Sequence, residues 1–320
     1  MTETEDRKVL DWLLEEDEPA ARYATLLCLL DRRPTDPEVV EARSAITKRG
    51  WVRQILAEQR PDGHWQPEEE GLYTPKYLAT NWRMLALSDL GVTGLEPGVS
   101  RGVALYVDEW LKDDRVLQRD REVCVLGNFA RAMTRFGYGD DPRVRRIFEW
   151  LVGDQKEDGG WHCFPGKTAG TLDCWEALAA YAALPRSSWS RRMKRSAELG
   201  AEFYLDRSLF REGSRRYAPW FRFHYPVHYY YDLLVGLDVV TSLGYAGDER
   251  LAPALRILEG KRRPDGAWNL DAVHQDLGPG AGYRTRKQPT PFVIERAGER
   301  SKWVTLTSLR VLKRVREAKP

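Results

Sequence analysis

A seven-residue pattern occurs three times in this sequence, and it constrains the fold more than any other feature. The copies are residues 59–65 (QRPDGHW), 155–161 (QKEDGGW) and 262–268 (RRPDGAW), with Arg262 in the place of the glutamine. Each copy follows an amphipathic helical pattern and precedes a segment rich in Ala and Leu. The Asp-Gly pair suits a tight turn with positive φ after a helix, and the Trp then packs back on that helix. The spacing therefore predicts a repeat of helix pairs.

Hydrophobic patterning divides the rest of the chain into two alternating sets of helices. One set is apolar on most sides, as in residues 171–184, and the other carries one apolar stripe among charges, as in 144–151. Helices that are apolar all round belong inside a protein, and striped helices belong outside. The predicted inner helices are 20–30, 76–90, 121–136, 170–184, 226–243 and 302–315. The predicted outer helices are 5–16, 41–58, 98–113, 142–155, 190–207 and 249–261.

Six alternating pairs predict an all-α fold that closes into a single α6/α6 toroid, a barrel of six inner and six outer helices. An open helical solenoid is the alternative. Two helix boundaries fall where glycines are followed by acidic residues, at 137–142 and 244–249. Because no seam marks a second domain, we interpret residues 1–320 as one toroid domain with a long loop at about 268–301.

Charge and cysteine content narrow the expected partners and location. The 50 basic and 48 acidic residues nearly cancel, so no overall field draws the chain to nucleic acid. The 4 cysteines are too sparse for a disulfide framework, which favours a reducing, cytoplasmic location. No apolar run is long enough to span a bilayer, so we expect no integral membrane segment.

The repeated Gln-x-x-x-Gly-x-Trp pattern resembles the repeat motif of squalene and oxidosqualene cyclases, and related turns occur in protein prenyltransferase β subunits. The resemblance covers nearly the whole chain and implies the α/α toroid fold and isoprenoid chemistry. A full squalene cyclase looks like two such barrels, whereas this chain has the length of one. That difference favours a pocket in the mouth of the single barrel, as in the prenyltransferase β subunits.

In such a toroid the N-termini of the inner helices converge at one mouth, and aromatic residues are dense there. Aromatic faces hold a prenyl chain and stabilise a carbocation, although ordinary packing explains them equally well. The predicted substrate-binding aromatics are Trp82, Trp175, Trp220, Phe223, Tyr229, Tyr230 and Trp303. Arg284 and Arg286, in the long loop, either clamp a diphosphate or keep the loop soluble.

Two carboxylates are predicted to be catalytic, Asp173 and Asp232. The resemblance to class II terpene cyclases places Asp173 at the middle acid of their Asp-x-Asp-Asp motif, but the flanking carboxylates are missing here. A lone aspartate is ionised near neutral pH unless it is desolvated, which weakens an acid role. Asp232 and Glu176 could be the two opposed carboxylates of an inverting glycosidase. The Gln-x-x-x-Gly-x-Trp repeats argue against that activity.

The resemblance to protein prenyltransferases implies a zinc site, because they bind Zn²⁺ through Asp-x-Cys at one inner-helix start and His at another. Cys174 matches the cysteine, His228 matches the histidine, and Asp173 stands one position away from the expected acid. Cys163 and His162 could complete or replace the set. Thiolate, imidazole and carboxylate are a sensible zinc set. The alternative is that these side chains are structural.

The sequence therefore predicts an isoprenoid-binding toroid that acts as an enzyme on a prenyl or polyprenyl substrate, with zinc as an optional cofactor. One alternative is a metal-free terpenoid cyclase or isomerase that uses Asp173 as its acid. Another is a non-catalytic scaffold whose barrel mouth binds a lipid or a protein. A partner subunit, which protein prenyltransferases require, is left open.

Overall fold

A computed structural model of the chain describes residues 3–119, 122–164, 166–213, 217–273 and 293–318. Within these ranges the regular structure is helical, and extended residues meet only in isolated bridges. The α-helices are α1 (Glu3–Leu13), α2 (Pro19–Cys28), α3 (Pro37–Ala45), α4 (Gly50–Ala57), α5 (Thr80–Asp89), α6 (Pro97–Tyr106), α7 (Arg115–Arg119), α8 (Val123–Met133), α9 (Pro142–Asp154), α10 (Glu176–Ala183), α11 (Arg191–Asp206), α12 (Leu233–Val240), α13 (Ala252–Gly260) and α14 (Lys302–Glu317). None of these described helices is long and apolar enough to cross a bilayer.

Each predicted inner helix has an observed counterpart, in the order α2, α5, α8, α10, α12 and α14. However, α5, α10 and α12 begin later than predicted. Before α10, the N–H of Leu172 donates to the carboxylate of Glu212 at 2.8 Å, and the N–H of Asp173 donates to the hydroxyl of Thr171 at 3.3 Å. Because these side chains satisfy the backbone donors, the segment needs no helical hydrogen bonds.

The predicted outer helix 41–58 is interrupted, and Gly50 marks the interruption. Gly50 has φ +71°, and a Cβ there would lie 2.7 Å from the carboxylate oxygens of Glu18. Glu18 is buried and accepts a hydrogen bond from the N–H of Trp51 at 3.0 Å. The backbone thus turns sharply between α3 and α4 to meet a buried carboxyl group, which only glycine allows without strain.

The three sequence repeats adopt one turn structure. Gly63, Gly159 and Gly266 have φ values of +94°, +86° and +84°. The side chain of Gln59 donates to the carbonyl of Gly63 at 2.9 Å, and that of Gln155 donates to Gly159 at 2.7 Å. In the third copy the Nε of Arg262 donates to Gly266 at 2.9 Å, so arginine replaces glutamine without loss of the bond.

The predicted glycine stops and acidic starts are confirmed at both boundaries. Gly137 and Gly244 have φ values of +99° and +91° and end the helical path of α8 and α12. Asp141 then accepts a hydrogen bond from the N–H of Arg143 at 2.8 Å, and Asp248 accepts one from Arg250 at 2.9 Å. Each carboxylate satisfies a donor that the first turn of a helix leaves unpaired.

The inner helices contact one another in sequence, α5 with α8, α8 with α10, α10 with α12 and α12 with α14. The last helix, α14, packs against α2, so the two ends of the chain meet. Lys302 at the start of α14 forms ion pairs with Glu15 and Asp17, both at 2.9 Å. Tyr23 of α2 lies against Gly91, which follows α5, where a Cβ would approach its ring to 3.0 Å.

Candidate functional site

A cavity of about 190 Å³ lies among α5, α8, α10, α12 and α14. Its two ends differ in chemistry. Trp175, Trp303, His224 and Asp232 line it near the N-termini of α10, α12 and α14. The other end, towards the C-termini of the inner helices, is lined by Asp89, Arg131, Arg135, Asp238, Arg310 and Arg314. Small and aliphatic side chains such as Ala179 complete the described lining.

His224 and Asp232 form a buried pair at the aromatic end. The Nδ1 of His224 lies 2.6 Å from the Oδ2 of Asp232, and the two side chains are 2% and 1% exposed. The same carboxylate accepts the N–H of His224 at 2.9 Å and, as the N-cap of α12, the N–H of Val235 at 2.9 Å. Because Asp232 acts as an acceptor, it places the ring hydrogen of His224 on Nδ1.

The Nε2 of His224 is therefore the ring nitrogen that remains for other chemistry. Among the residues that the structure describes, it has no hydrogen-bond partner. Buried polar atoms normally have a hydrogen-bond partner. An unpaired nitrogen in the lining of a cavity is therefore a candidate contact for a bound molecule. Asp232, which the sequence predicted to be catalytic, thus lines the cavity and holds the ring of His224 in its orientation.

Asp238 organises part of the opposite end. Arg310 donates to its carboxylate at 3.0 and 2.7 Å, and Arg314 donates at 2.8 Å. Burial alone would raise the pKa of Asp238, but the two guanidinium groups outweigh it and lower the pKa to about 2. Asp238 is therefore an anion throughout the physiological pH range.

Asp89, the last residue of α5, is the second carboxylate at this end of the cavity. It pairs with Arg135, and the Nη1 of Arg131 lies 3.6 Å from its Oδ1. Arg131 is 4% exposed, lies 5.1 Å above the ring of Trp175 and donates to the carbonyl of Val227 at 3.1 Å. Burial lowers the pKa of Arg131 to about 10, so this guanidinium is still charged near neutral pH.

The arginine end of the cavity was not among the predictions made from the sequence. A signal was present, since Arg131 and Arg135 are four residues apart on one inner helix and Arg310 and Arg314 are four apart on another. Residues at that spacing share one helix face. Charged pairs on a helix expected to be inside the barrel therefore indicate a polar cavity.

The predicted zinc ligands are divided between separate environments. The thiols of Cys174 and Cys163 lie 3.3 Å apart, and Cys124 joins them in a cluster. Hydrogen bonds from Cys124 and Cys174 lower the pKa of Cys163, and the bond to Cys163, followed by burial, raises the pKa of both donors. Asp173 accepts a hydrogen bond from the indole of Trp220 at 2.6 Å.

The two histidines of the zinc prediction have different neighbours. The ring of His228 stacks on Tyr77 at 5.4 Å between centroids and meets the edge of Trp82 at 5.2 Å. The Nδ1 of His162 accepts the N–H of Phe164 at 3.1 Å. In the described ranges no group of three or more His, Cys, Asp or Glu side chains is arranged to hold a metal ion. The predicted zinc ligands therefore do not come together as one set among the described residues.

Glu176 begins α10, is fully buried and lies near Cys163. Burial raises the pKa of Glu176 well above its usual range, and the nearby Cys163 adds to the effect. Neither carboxyl oxygen has a hydrogen-bond partner within the described part of the chain. A Cβ at Gly127 of α8 would lie 2.5 Å from the Glu176 backbone, so the two helices meet closely here. Because burial disfavours its ionised form, Glu176 is poorly suited to be the base of a glycosidase.

The predicted aromatic residues divide between the cavity and the core. Trp175 and Trp303 line the cavity, and Trp303 stacks on Tyr225 at 5.0 Å. Tyr229 and Tyr230 stack on each other at 4.8 Å in the segment before α12, instead of inside that helix as predicted. The other members, Trp82, Trp220 and Phe223, are buried among core side chains. Arg284 and Arg286 lie outside the described residues.

Comparison with known proteins gives no family assignment. No protein-family model matches the chain, and no curated protein matches it. Among solved structures, a protein from Actinoplanes is 16% identical over 98% of each chain, with a TM-score of 0.46. The type II terpene cyclase MstE from Scytonema is 16% identical over 94% of this chain and 87% of that chain, with a TM-score of 0.44. A variant of that cyclase in complex with geranylgeranyl dihydroxybenzoate is 15% identical over the same shares, with a TM-score of 0.44.

Proposed function

We propose that this chain is an α6/α6 toroid enzyme that binds an isoprenoid group in its central cavity. The contacts from α5 through α14, the packing of α14 on α2 and the position of Tyr23 beside Gly91 all support a closed ring. The seven-residue repeats, which resemble those of terpenoid cyclases and prenyltransferases, support isoprenoid chemistry. The cavity would then lie on the axis of the toroid.

The size of the cavity favours a short prenyl group over a long one. Pockets for drug-sized ligands usually measure about 300–1,000 Å³, and this cavity of about 190 Å³ is smaller. A long polyprenyl chain would therefore be a poor fit. Trp175 and Trp303 contribute aromatic rings to the lining, and such rings bind apolar chains and stabilise positive charge.

The observation that carries the proposal is the unpaired Nε2 of His224 in the cavity lining. With Asp232 holding the hydrogen on Nδ1, Nε2 is an acceptor that can take a proton from a bound substrate. An imidazole acting this way forms an imidazolium, which the adjacent carboxylate stabilises. His224 replaces Asp173 as the proton-transfer group in this proposal, because Asp173 is engaged by Trp220.

Product analysis with the purified protein tests this function. Short prenyl alcohols and prenyl acids are screened by thermal shift, and the binders are assayed for new products by gas chromatography and mass spectrometry. General base catalysis typically contributes about 10²–10⁴-fold, so His224→Gln should lower turnover by at least about 100-fold with little change in binding. The control is His64→Ala, because the same repeat position holds Gly160 and Ala267 in the other copies.

The outcomes separate the remaining functions. Binding without turnover in the wild-type protein would support the non-catalytic scaffold instead. Turnover that survives His224→Gln would remove the assigned base. Zinc is tested independently by elemental analysis of protein purified without chelator. Close to one equivalent of zinc per chain, lost in Cys174→Ala, would show that the predicted zinc site exists.

A further inference from the structure

The arginine end of the cavity carries more positive charge than its carboxylates neutralise. Four guanidinium groups, those of Arg131, Arg135, Arg310 and Arg314, face the carboxylates of Asp89 and Asp238. Glu176, an acidic group near Arg131, is not part of the described cavity lining, and burial raises its pKa well above its usual range. The arginine end therefore has two more positive than negative charges, because Asp232, the third carboxylate of the described lining, lies at the other end beside His224.

This imbalance lies where water screens poorly. Arg131 and Asp89 have side-chain exposures of 4% and 7%, while Arg310 and Arg314 are 20% and 29% exposed. Arg310 lies close enough to Arg135 for their like charges to repel. Holding like charges together in a partly desolvated cavity is costly unless an opposite charge is bound between them.

The arginines can also donate further hydrogen bonds. In the part of the chain that the structure describes, the Nε of Arg131 has no hydrogen-bond partner. Arg135 has a side-chain exposure of 35%, so it reaches solvent at the opening of this end. Guanidinium groups bind phosphate-type oxyanions through paired N–H donors, which matches a site built from four arginines.

We propose that this end of the cavity is a binding site for a tetrahedral oxyanion with two negative charges, of the phosphate type. Two charges of the anion would neutralise the two excess positive charges of the site. The residues of this site do not include Arg284 and Arg286, for which the sequence left diphosphate binding and loop solubility as alternatives. The site is also independent of the isoprenoid chemistry, because it needs only the arginines. The anion is either a free ion or the charged group of a larger ligand.

Isothermal titration of the full-length chain tests the proposal with inorganic phosphate, sulfate, pyrophosphate, a short alkyl phosphate and acetate. Phosphate and sulfate should bind, and acetate, with one charge, should bind at least about tenfold more weakly. Tighter binding of the alkyl phosphate than of phosphate identifies the group of a larger ligand. Tighter binding of phosphate or pyrophosphate identifies a free anion.

Variants locate the site. Arg135→Gln should weaken phosphate binding by about tenfold or more, because it removes one charge from the opening while Arg131 still pairs with Asp89. Arg250→Gln is the matched control, since Arg250 is bound to Asp248, Glu202 and Asp206 on the surface. Arg310→Gln should act like Arg135→Gln, but it also removes a partner of Asp238, so circular dichroism must first show that it folds.

Two results would overturn the proposal. One is no heat of binding for phosphate, sulfate or pyrophosphate at millimolar concentration. The other is equal phosphate affinity in Arg135→Gln and Arg250→Gln, which would place any bound anion elsewhere. Because these titrations contain no isoprenoid and do not involve His224, they can fail while the proposed function stands, or succeed while it falls.

Discussion

The indole N–H of Trp161 donates a hydrogen bond to the backbone carbonyl of Leu151, ten residues earlier in α9, at 2.9 Å. The other two copies repeat the bond, from Trp65 to Ile55 at 2.7 Å and from Trp268 to Leu258 at 2.8 Å. The last carbonyls of a helix lack partners within the helix. The repeated Trp therefore ties the turn to the end of the outer helix that it follows.

Replacing Trp161 separates the hydrogen bond from the packing. Trp161 is fully buried, so Trp161→Ala should lower the free energy of unfolding by about 3–5 kcal/mol. Trp161→Phe keeps an aromatic ring and should cost less, with about 1 kcal/mol from the lost hydrogen bond. Trp65→Ala should cost less than Trp161→Ala, since Trp65 is only half-buried. Urea unfolding measures all three, and an unchanged midpoint for Trp161→Ala would contradict the packing role.

Gln155 joins its turn to the next outer helix. Its amide donates to the carbonyls of Gly159 at 2.7 Å and Ser196 at 2.8 Å, the latter in α11. Gln155→Ala should lower the free energy of unfolding by about 1–3 kcal/mol through the loss of two hydrogen bonds. Arg262→Gln is the control, because glutamine fits the same turn, and it should change stability by less than about 0.5 kcal/mol. Equal effects of the two substitutions in urea unfolding would show that the glutamine has no special role.

Glu18 should make the stability of the protein depend on pH. Burial raises the pKa of Glu18 from 4.5 to about 8, so the folded state favours the neutral acid. This contribution is fully present below pH 4.5 and is lost as the pH rises through about 8. At roughly 1.4 kcal/mol per pKa unit, the shift from 4.5 to about 8 corresponds to a loss of about 5 kcal/mol.

Glu18→Gln removes that ionisation while its amide oxygen still accepts the N–H of Trp51. The free energy of unfolding of the variant should therefore fall less than that of the wild-type protein between pH 5 and pH 8. Some slope should remain, because burial also raises the pKa of Glu295, to about 7. Parallel pH profiles for the two proteins would mean that Glu18 is ionised in the folded state.

The helix order could be predicted from the sequence because it depends on local patterns. The inner set has apolar residues on most sides, and the turns carry Asp-Gly-x-Trp signals that act within about ten residues. The starts of α10 and α12 could not be predicted this way. The N–H of Leu172 is satisfied by Glu212, 40 residues later, and Asn128 donates to the carbonyl of His228 at 2.6 Å across 100 residues.

The same limit applies to the candidate site. His224 and Asp232 are eight residues apart in the sequence, and that spacing alone does not predict a contact. The extended segment before α12 brings their side chains together. The four-residue spacing of Arg131 and Arg135 does predict that they share one face of a helix. That they face Arg310 across one cavity depends on how α8 and α14 are rotated about their axes, which the apolar pattern of an inner helix does not specify.

Asp232→Asn tests the orientation of His224, because Asp232 must accept on two sides at once. One carboxylate oxygen caps α12 at Val235, and the other accepts from the backbone and ring of His224. Asparagine has a single acceptor oxygen. If that oxygen keeps the cap, the amide donates to Nδ1, and the ring hydrogen of His224 moves to Nε2.

The expected result is therefore an inverted tautomer of His224, observed by ¹⁵N NMR of histidine-labelled protein. Stability should fall by about 1–3 kcal/mol, since the N–H of His224 would face a donor and remain unsatisfied. Turnover of any isoprenoid substrate should fall as well, because Nε2 could no longer accept a proton. Asp238→Asn, at the opposite end of the cavity, is the control and should leave the tautomer unchanged. Retention of the hydrogen on Nδ1 in Asp232→Asn would show that Asp232 does not orient the ring.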